Sequence, residues 1–366
     1  MNIDFQWKER LQHIEDSFHP FQVIDEQGNI KEPQLFALLS DEMHQALMKK
    51  MVWERELDKQ CRLLVREGKL GFYAPTEGEE ASQMGSMMAI QNDDFLLPGY
   101  RDVLQLIVHG LPLYQAFLWS IGHMEGNHYA KDLQALPPQI VVAAHYIQAT
   151  GIGLALTMEE APSIAVCYTG DGGSSEGDFY EALNAAADYH AQVLFICNNN
   201  RYAISTPRSF QTQAKTLAQK GVATGVASLQ VDGMDPVAVY LATKEARQYI
   251  ISQHVPVFLE LLNYRFGPHT LSGDNPSLYR KRDEEDHFRQ IEGIKRYRTC
   301  LTKNQLWNDD MEKAVIKQTD EQIEVALKQV DKVPPQTMTD CIEHMYTKMP
   351  PVIQQEWEKY KGKEEA

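Results

Sequence analysis

One aspartate and one asparagine, 29 positions apart, are the residues in this chain whose type and spacing suit chemistry best. Asp171 lies in Thr169-Gly170-Asp171-Gly172-Gly173-Ser174-Ser175-Glu176-Gly177, and Asn200 ends the run Asn198-Asn199-Asn200 ahead of Arg201-Tyr202. A glycine-rich turn that follows an apolar strand and opens a helix leaves backbone N–H groups free to cradle phosphate. A carboxylate and an amide oxygen are hard donors of the kind magnesium takes from protein, which it supplements with water and substrate phosphates. A single carboxylate also leaves positive charge on such a metal to neutralise a diphosphate. Rival readings of the glycines fail on spacing. G-x-G-x-x-G breaks at Ser175, and no G-x-x-x-x-G-K-[ST] occurs. The glycines alone fit an ordinary turn equally well; it is their combination with Asp171 and the Asn-rich strand end that favours a site.

The elements around this pair explain the spacing. Apolar runs at 163–169, 192–198 and 256–262, separated by helical patterns, read as buried strands of a parallel sheet with crossovers. One strand, one crossover helix and one further strand return the chain to the same sheet edge. Asp171 and Asn200 then sit at the carboxyl ends of neighbouring strands, where open α/β sheets bind ligands. Residues 1–39 read as an arm. A long helix follows from Ser40, capped by that serine, with Asp41 and Glu42 at its positive end and Gly68 as its stop. Residues 263–285 show no apolar period, and a loop of that length inside a domain is usually functional or disordered, the functional reading being favoured here. Beyond 285 the chain turns acidic and helical. The fold class is therefore α/β, a mostly parallel sheet flanked by helices with a helical N-terminal arm and a helical tail. Its divisions are 1–70 (arm and long helix), 71–285 (ligand-binding α/β domain) and 286–366 (helical region packed on the same domain).

Composition excludes several classes. Thirty-five basic residues against 51 acidic give a net charge of −16, which repels nucleic acid and anionic membranes. No apolar run approaches the roughly 18 residues of a membrane span. The N-terminal stretch has no apolar core and carries Asp4, Glu9, Glu15 and Asp16, unlike a signal or transit peptide. Cys61, Cys167, Cys197, Cys300 and Cys341 lie far apart with no CxxC pair, as expected of free thiols in a cytoplasmic protein.

At this resolution of motifs the chain resembles a family. GDG followed about thirty residues later by NN is similar to the thiamine-diphosphate motif. Together with GFYAPTEGEEAS (71–82), LPGYRD (97–102), QIVVAAHYIQATGIGLAL (139–156), NNNRYAISTP (198–207) and YRFGPHTLSGDNPSLYR (264–280), it resembles the alpha subunit of the first component of 2-oxo acid dehydrogenase complexes. The wording of GFYAPT and LPLYQAF (111–117) is closest to the bacterial pyruvate branch. The resemblance implies thiamine diphosphate and Mg as cofactors, with Asp171, Asn200 and the Tyr202 carbonyl on the metal and Gly172 and Gly173 on the diphosphate. It places Tyr100, Arg101 and Arg265 toward the diphosphate, Ile140 and Val142 beside the aminopyrimidine, and His269 nearest the chemistry. It also implies a beta subunit in an alpha2-beta2 heterotetramer, a lipoyl-bearing dihydrolipoyl acyltransferase as acceptor, and a small 2-oxo acid as substrate. The glutamate that activates the cofactor is expected on the beta chain.

Competing readings stand beside these. Arg101 pairing with Asp102, Ile140 and Val142 as plain core, and a solvated His269 are the bland alternatives. Glu79 and Glu80 suggest a general acid/base pair but read rather as the start of a helix at a protein–protein contact, and His123, Glu125 and His128 are candidates for a substrate mouth. Two departures touch the motifs: Glu79 replaces the family's Gln, and Ala143-Ala144-His145 replaces Gly-Ala-Gln. Thr270 stands where animal relatives carry a phosphorylatable serine. Alternative functions are a branched-chain 2-oxo acid or acetoin enzyme and, from another class, a nucleotide-binding or non-catalytic subunit.

Overall fold

The computed structural model describes residues 16–364. Helix α1 (Asp41–Arg66) starts where its sequence signals place it. The Ser40 hydroxyl accepts from the Met43 N–H at 3.3 Å, and Asp41 and Glu42 fill the first turn. Helix α2 (Glu80–Met87) leads into strand β1 (Phe95–Leu97). Then come α3 (Ala144–Met158), β2 (Ala165–Gly170), α4 (Gly177–Asp188) and β3 (Val193–Asn199). After a short hairpin at 202–207 follow α5 (Ala218–Ala223), β4 (Ala227–Asp232), α6 (Pro236–Gln253) and β5 (Val257–Leu262). The C-terminal part is helical, with α7 (Arg282–Gln290), α8 (Gly293–Lys303) and α9 (Asp309–Val330) followed by two shorter helices.

The five strands form one sheet in the order β1-β2-β3-β5-β4, and every pairing is parallel. Three of them match the apolar runs read from sequence to within two residues. Strand β1 escaped because it is three residues long. Strand β4 (ASLQVD) escaped because it is an edge strand, exposed at Ala227 and Leu229 and buried at Gln230 and Val231, with no continuous apolar run. Both sheet faces are covered. Val166, Tyr168, Leu194, Ile196, Leu259 and Leu261 pack against α1, α2, α6 and α8. Cys167, Val193, Phe195, Cys197 and Phe258 pack against α3 and α4 on the other side, where the ring of Tyr146 lies 4.9 Å from Phe195. Helix α9 contributes Ile323 and Ala326 to a third cluster with Leu57, Cys61 and Leu64 of α1.

The segment without apolar period is held by its own polar contacts. It ends earlier than its sequence suggests, because Arg282–Glu285 already form the first turn of α7. The Phe266 N–H donates to the Glu77 carbonyl at 2.9 Å. The Arg280 guanidinium donates to the carbonyls of Phe266 and Gly267 and lies 5.3–5.5 Å from the rings of Tyr202, Tyr264 and Tyr279. Four of the five thiols, Cys61, Cys167, Cys197 and Cys300, are buried, and Cys341 is half-buried.

Candidate active site

Strands β2 and β3 run in register with Gly170 opposite Asn198, so Asp171 and Asn200 emerge from adjacent strand tips. Both face a cavity of about 410 Å³. A single 3-10 turn, Asp171–Ser175, leaves β2. An added Cβ on Gly173 would meet Thr169 Oγ1 at 2.2 Å, and one on Gly172 the Ala203 methyl at 2.9 Å, so the turn lies directly on its neighbours. Lys220 braces it from behind, its Nζ donating to the carbonyl and hydroxyl of Ser174. The neighbouring strand tip is braced by Glu260. That buried carboxylate accepts from the N–H groups of Leu217 and Ala218 and from the side-chain amides of Gln230 and Asn199, at 2.7–3.0 Å.

Asp171 is 1% exposed and accepts a hydrogen bond from Gln211 Nε2 at 2.6 Å. Among the described residues no cation pairs with it. Burial lifts its carboxyl to about 6, opposed in part by the Gln211 bond. Asn200 donates its amide N–H to Glu79 Oε1 at 2.7 Å, which fixes the orientation of its amide. A buried carboxylate without a counter-ion, beside an amide oxygen and a glycine turn, is a donor set that fits a small hard cation carrying a diphosphate.

A cationic wall stands opposite. Arg101 donates through Nη1 to the Pro75 carbonyl at 2.6 Å and through Nη2 to both the carbonyl and Nδ1 of His269 at 3.3 Å. An arginine is only a donor, so Nδ1 of His269 carries the lone pair and Nε2 the proton. Burial, and then the charges of Arg101 and Arg265, push this imidazole down to about 4. It is therefore neutral near pH 7. The Tyr100 ring lies edge-on to it at 5.7 Å. Arg101 does not pair with Asp102, whose carboxylate instead accepts from the Gly99 N–H at 2.8 Å.

Tyr100, Arg101, Ile140, Val142, Asp171, Gly172, Gly173, Asn200, Tyr202 and His269 all line the one cavity. Arg265 does not line it. It is fully buried behind the cavity, where it donates to the carbonyls of Ile204 at 2.9 Å and Gly267 at 3.3 Å and so ties the hairpin to the long loop. Ile140 and Val142 are not core, being 54% and 36% exposed with Val141 at 64% between them. Glu79 and Glu80 are buried inside this chain rather than set at a protein–protein contact. Asn200 and Arg101 face Glu79, and Arg55 pairs with Glu80, which is what makes their burial tolerable. His123, Glu125 and His128 lie away from the cavity. His123 bonds the Pro334 carbonyl, and Glu125 pairs with His128. Sequence reasoning missed Gln211, the last residue of a four-residue helical turn (Arg208–Gln211) that is too short to give a periodic signal. It also missed the role of Glu79, although Gly78 at φ +102 marks the tight entry that aims it.

Comparison with known proteins agrees with this geometry. The model of the dehydrogenase E1 component family matches residues 48–339. The pyruvate dehydrogenase E1 component subunit alpha of Staphylococcus aureus is 48% identical over 354 residues, covering 97% of this chain and 96% of that one. The protein of the same name from Staphylococcus epidermidis is 46% identical over the same span. A family match that begins in α1 and ends past α9, with identity at that level over nearly the whole chain, leaves one conclusion: the chain belongs to the dehydrogenase E1 component family.

Proposed function

We propose that this chain is the alpha subunit of a pyruvate dehydrogenase, which decarboxylates pyruvate oxidatively with thiamine diphosphate and acetylates the lipoyl group of a partner acyltransferase. The family is thiamine-diphosphate dependent, and the relatives at 46–48% identity carry the pyruvate dehydrogenase name. The observation that carries the reading is the meeting of Asp171 and Asn200 at adjacent strand tips, opposite Arg101 and His269, in one cavity.

In this reading Asp171 and Asn200 hold a magnesium ion through side-chain oxygens, with the Tyr202 carbonyl as a third ligand. The N–H groups of the Gly172–Gly173 turn and the Arg101 guanidinium receive the diphosphate. Thiamine diphosphate, when bound, supplies the electron sink that cleavage of a carboxylate from a 2-oxo acid requires. His269, neutral and with its proton on Nε2, is a donor beside that chemistry and orients or protonates the substrate oxygen. Arg265 acts one step back, by holding the loop that carries His269. The exposed Ile140–Val142 edge fits a missing wall, supplied by a beta subunit in an alpha2-beta2 assembly that also brings the activating carboxylate. No helix among the described residues is long and apolar enough to cross a membrane, in keeping with a cytoplasmic enzyme.

The test is the chain co-expressed with its beta partner and assayed on pyruvate and branched 2-oxo acids, with magnesium and thiamine diphosphate present or withheld. Pyruvate turnover that needs both is expected. Equal turnover without thiamine diphosphate, or preference for branched substrates, would overturn the reading or its substrate.

A further inference from the structure

Asparagine is the ambivalent member of the proposed cation site. One end of its amide accepts and the other donates, and a hard cation uses only the oxygen. A half-turn about the last side-chain bond exchanges the two ends, so a neighbour has to decide which of them faces the ion. For Asn200 that neighbour is Glu79. Its Oε1 accepts from Asn200 Nδ2 at 2.7 Å, so the nitrogen end is committed to Glu79. The oxygen end is thereby turned the other way. There it accepts from the Tyr202 N–H at a long 3.3 Å and keeps a second lone pair.

Glu79 is itself held in place. The left-handed Gly78, at φ +102, turns the chain inward, the Glu79 N–H donates to the Thr76 carbonyl at 2.9 Å, and α2 begins at the next residue. Its side chain is 1% exposed and, like Asn200, lines the cavity. Arg101 Nε lies 3.8 Å from the same Oε1 that receives the amide, a second donor group on that one oxygen. Oε2 has a weaker partner, Gln83 Nε2 at 3.5 Å. The oxygen of that Gln83 amide is buried and has no hydrogen-bond partner among the described residues.

We infer that Glu79 is a positioning residue for the cation site, which acts by holding the Asn200 amide with its oxygen, rather than its nitrogen, toward the ion. This rests on the function proposed above, in which that ion is magnesium and carries thiamine diphosphate. What the role requires at position 79 is an accepting oxygen. A glutamine supplies one to Asn200, and its own N–H group, in place of Oε2, can donate to the unpartnered Gln83 oxygen once that amide turns over. A leucine supplies none and leaves Asn200 free to turn.

The inference is tested by binding rather than turnover. The alpha chain, assembled with its beta partner, is titrated with magnesium at a fixed concentration of thiamine diphosphate, and cofactor binding is followed by intrinsic fluorescence. The quantity read is the magnesium concentration at half-maximal binding, for wild type, Glu79→Gln, Glu79→Leu, Asn200→Ala and the double variant Glu79→Leu/Asn200→Ala. Glu79→Leu should raise it at least about tenfold, the range lost with a group that supports a metal ligand. Glu79→Gln should stay within about threefold of wild type. Once Asn200 is alanine there is no amide left to orient, so Glu79→Leu should then add less than about threefold. An equal further loss in both backgrounds overturns the inference, because Glu79 would then act on the fold or through Arg101. A Glu79→Gln variant as weak as Glu79→Leu overturns it as well, by showing that charge rather than an accepting oxygen is what counts. Should the Leu variant not fold, Glu79→Ala carries the same expectations. Thiamine diphosphate binding by wild type that is absent, or indifferent to magnesium, would instead count against the proposed function, which separates the two.

Discussion

Asp171 and His269 sit in one cavity under opposite electrostatic conditions, and each makes a separate prediction. Asp171 is a buried carboxylate with a neutral amide partner, so its replacement by alanine removes the acidic oxygen that the tip of β2 offers to a cation. Thiamine diphosphate binding in the presence of magnesium should weaken by at least about 100-fold, since loss of groups that merely support metal ligands already costs 10–100-fold. Titration by intrinsic fluorescence reads this, and a change below tenfold would remove Asp171 from the metal site. His269 is held below its ordinary range, at about 4, chiefly by burial and then by Arg101 and Arg265. The unfolded chain, with an ordinary histidine near 6.5, binds that proton more readily than the folded one. Stability from this group is therefore complete above about pH 6.5 and is lost as pH falls toward 4. Thermal melts between pH 4 and 7 should show a shallower pH slope in His269→Asn than in wild type; parallel slopes would refute the assignment.

The elements that carry these residues are braced by contacts that no sequence period encodes. Asp171 and Asn200 were legible because strand–helix–strand spacing alone puts two strand tips side by side. The brace beneath them was not. Glu260 reads as one polar residue in an apolar strand, yet it gathers N–H donors from β3, β4 and the start of α5. Glu260→Gln places an amide among donors and orphans at least one of them. A loss of about 2–4 kcal/mol is expected from denaturant midpoints, with weakened cofactor binding because Asn199 is released next to Asn200. Gly78 is the second such point. Its φ of +102 excludes most side chains, and a Cβ there would lie 1.9 Å from the Tyr264 carbonyl. Gly78→Ala should cost more than about 2 kcal/mol, because both backbone strain and a clash apply. Glu79's place beside Asn200 was illegible for a related reason, since it depends on how α2 docks across the sheet. The GEE wording alone equally suited a surface helix.

For the whole molecule, charge concerns sums rather than positions. A chain of net −16 has to gather cations locally wherever it holds an anion, and Arg101, Arg265 and Arg280 lie close together around the long loop. The proposed division of the chain makes its own prediction. The region after 285 supplies Ile294, Tyr297, Cys300 and Leu301 to the main core and Ile323 and Ala326 to another. Truncation at residue 285 should therefore abolish cooperative thermal unfolding rather than release an intact domain, as read by circular dichroism and calorimetry. A sharp melt in the truncated chain would show that the two regions fold independently.

The buried thiols have a consequence for the partner chemistry. Desolvation pushes Cys61, Cys167 and Cys197 well above their ordinary range and Cys300 up to about 12, so none of the four offers a thiolate near neutral pH. An enzyme whose acceptor is a strained five-membered disulfide would otherwise risk scrambling with it into dead-end cross-links. Under the function proposed above, a lipoyl disulfide that enters repeatedly would meet, among these five thiols, only Cys341 in a half-buried position.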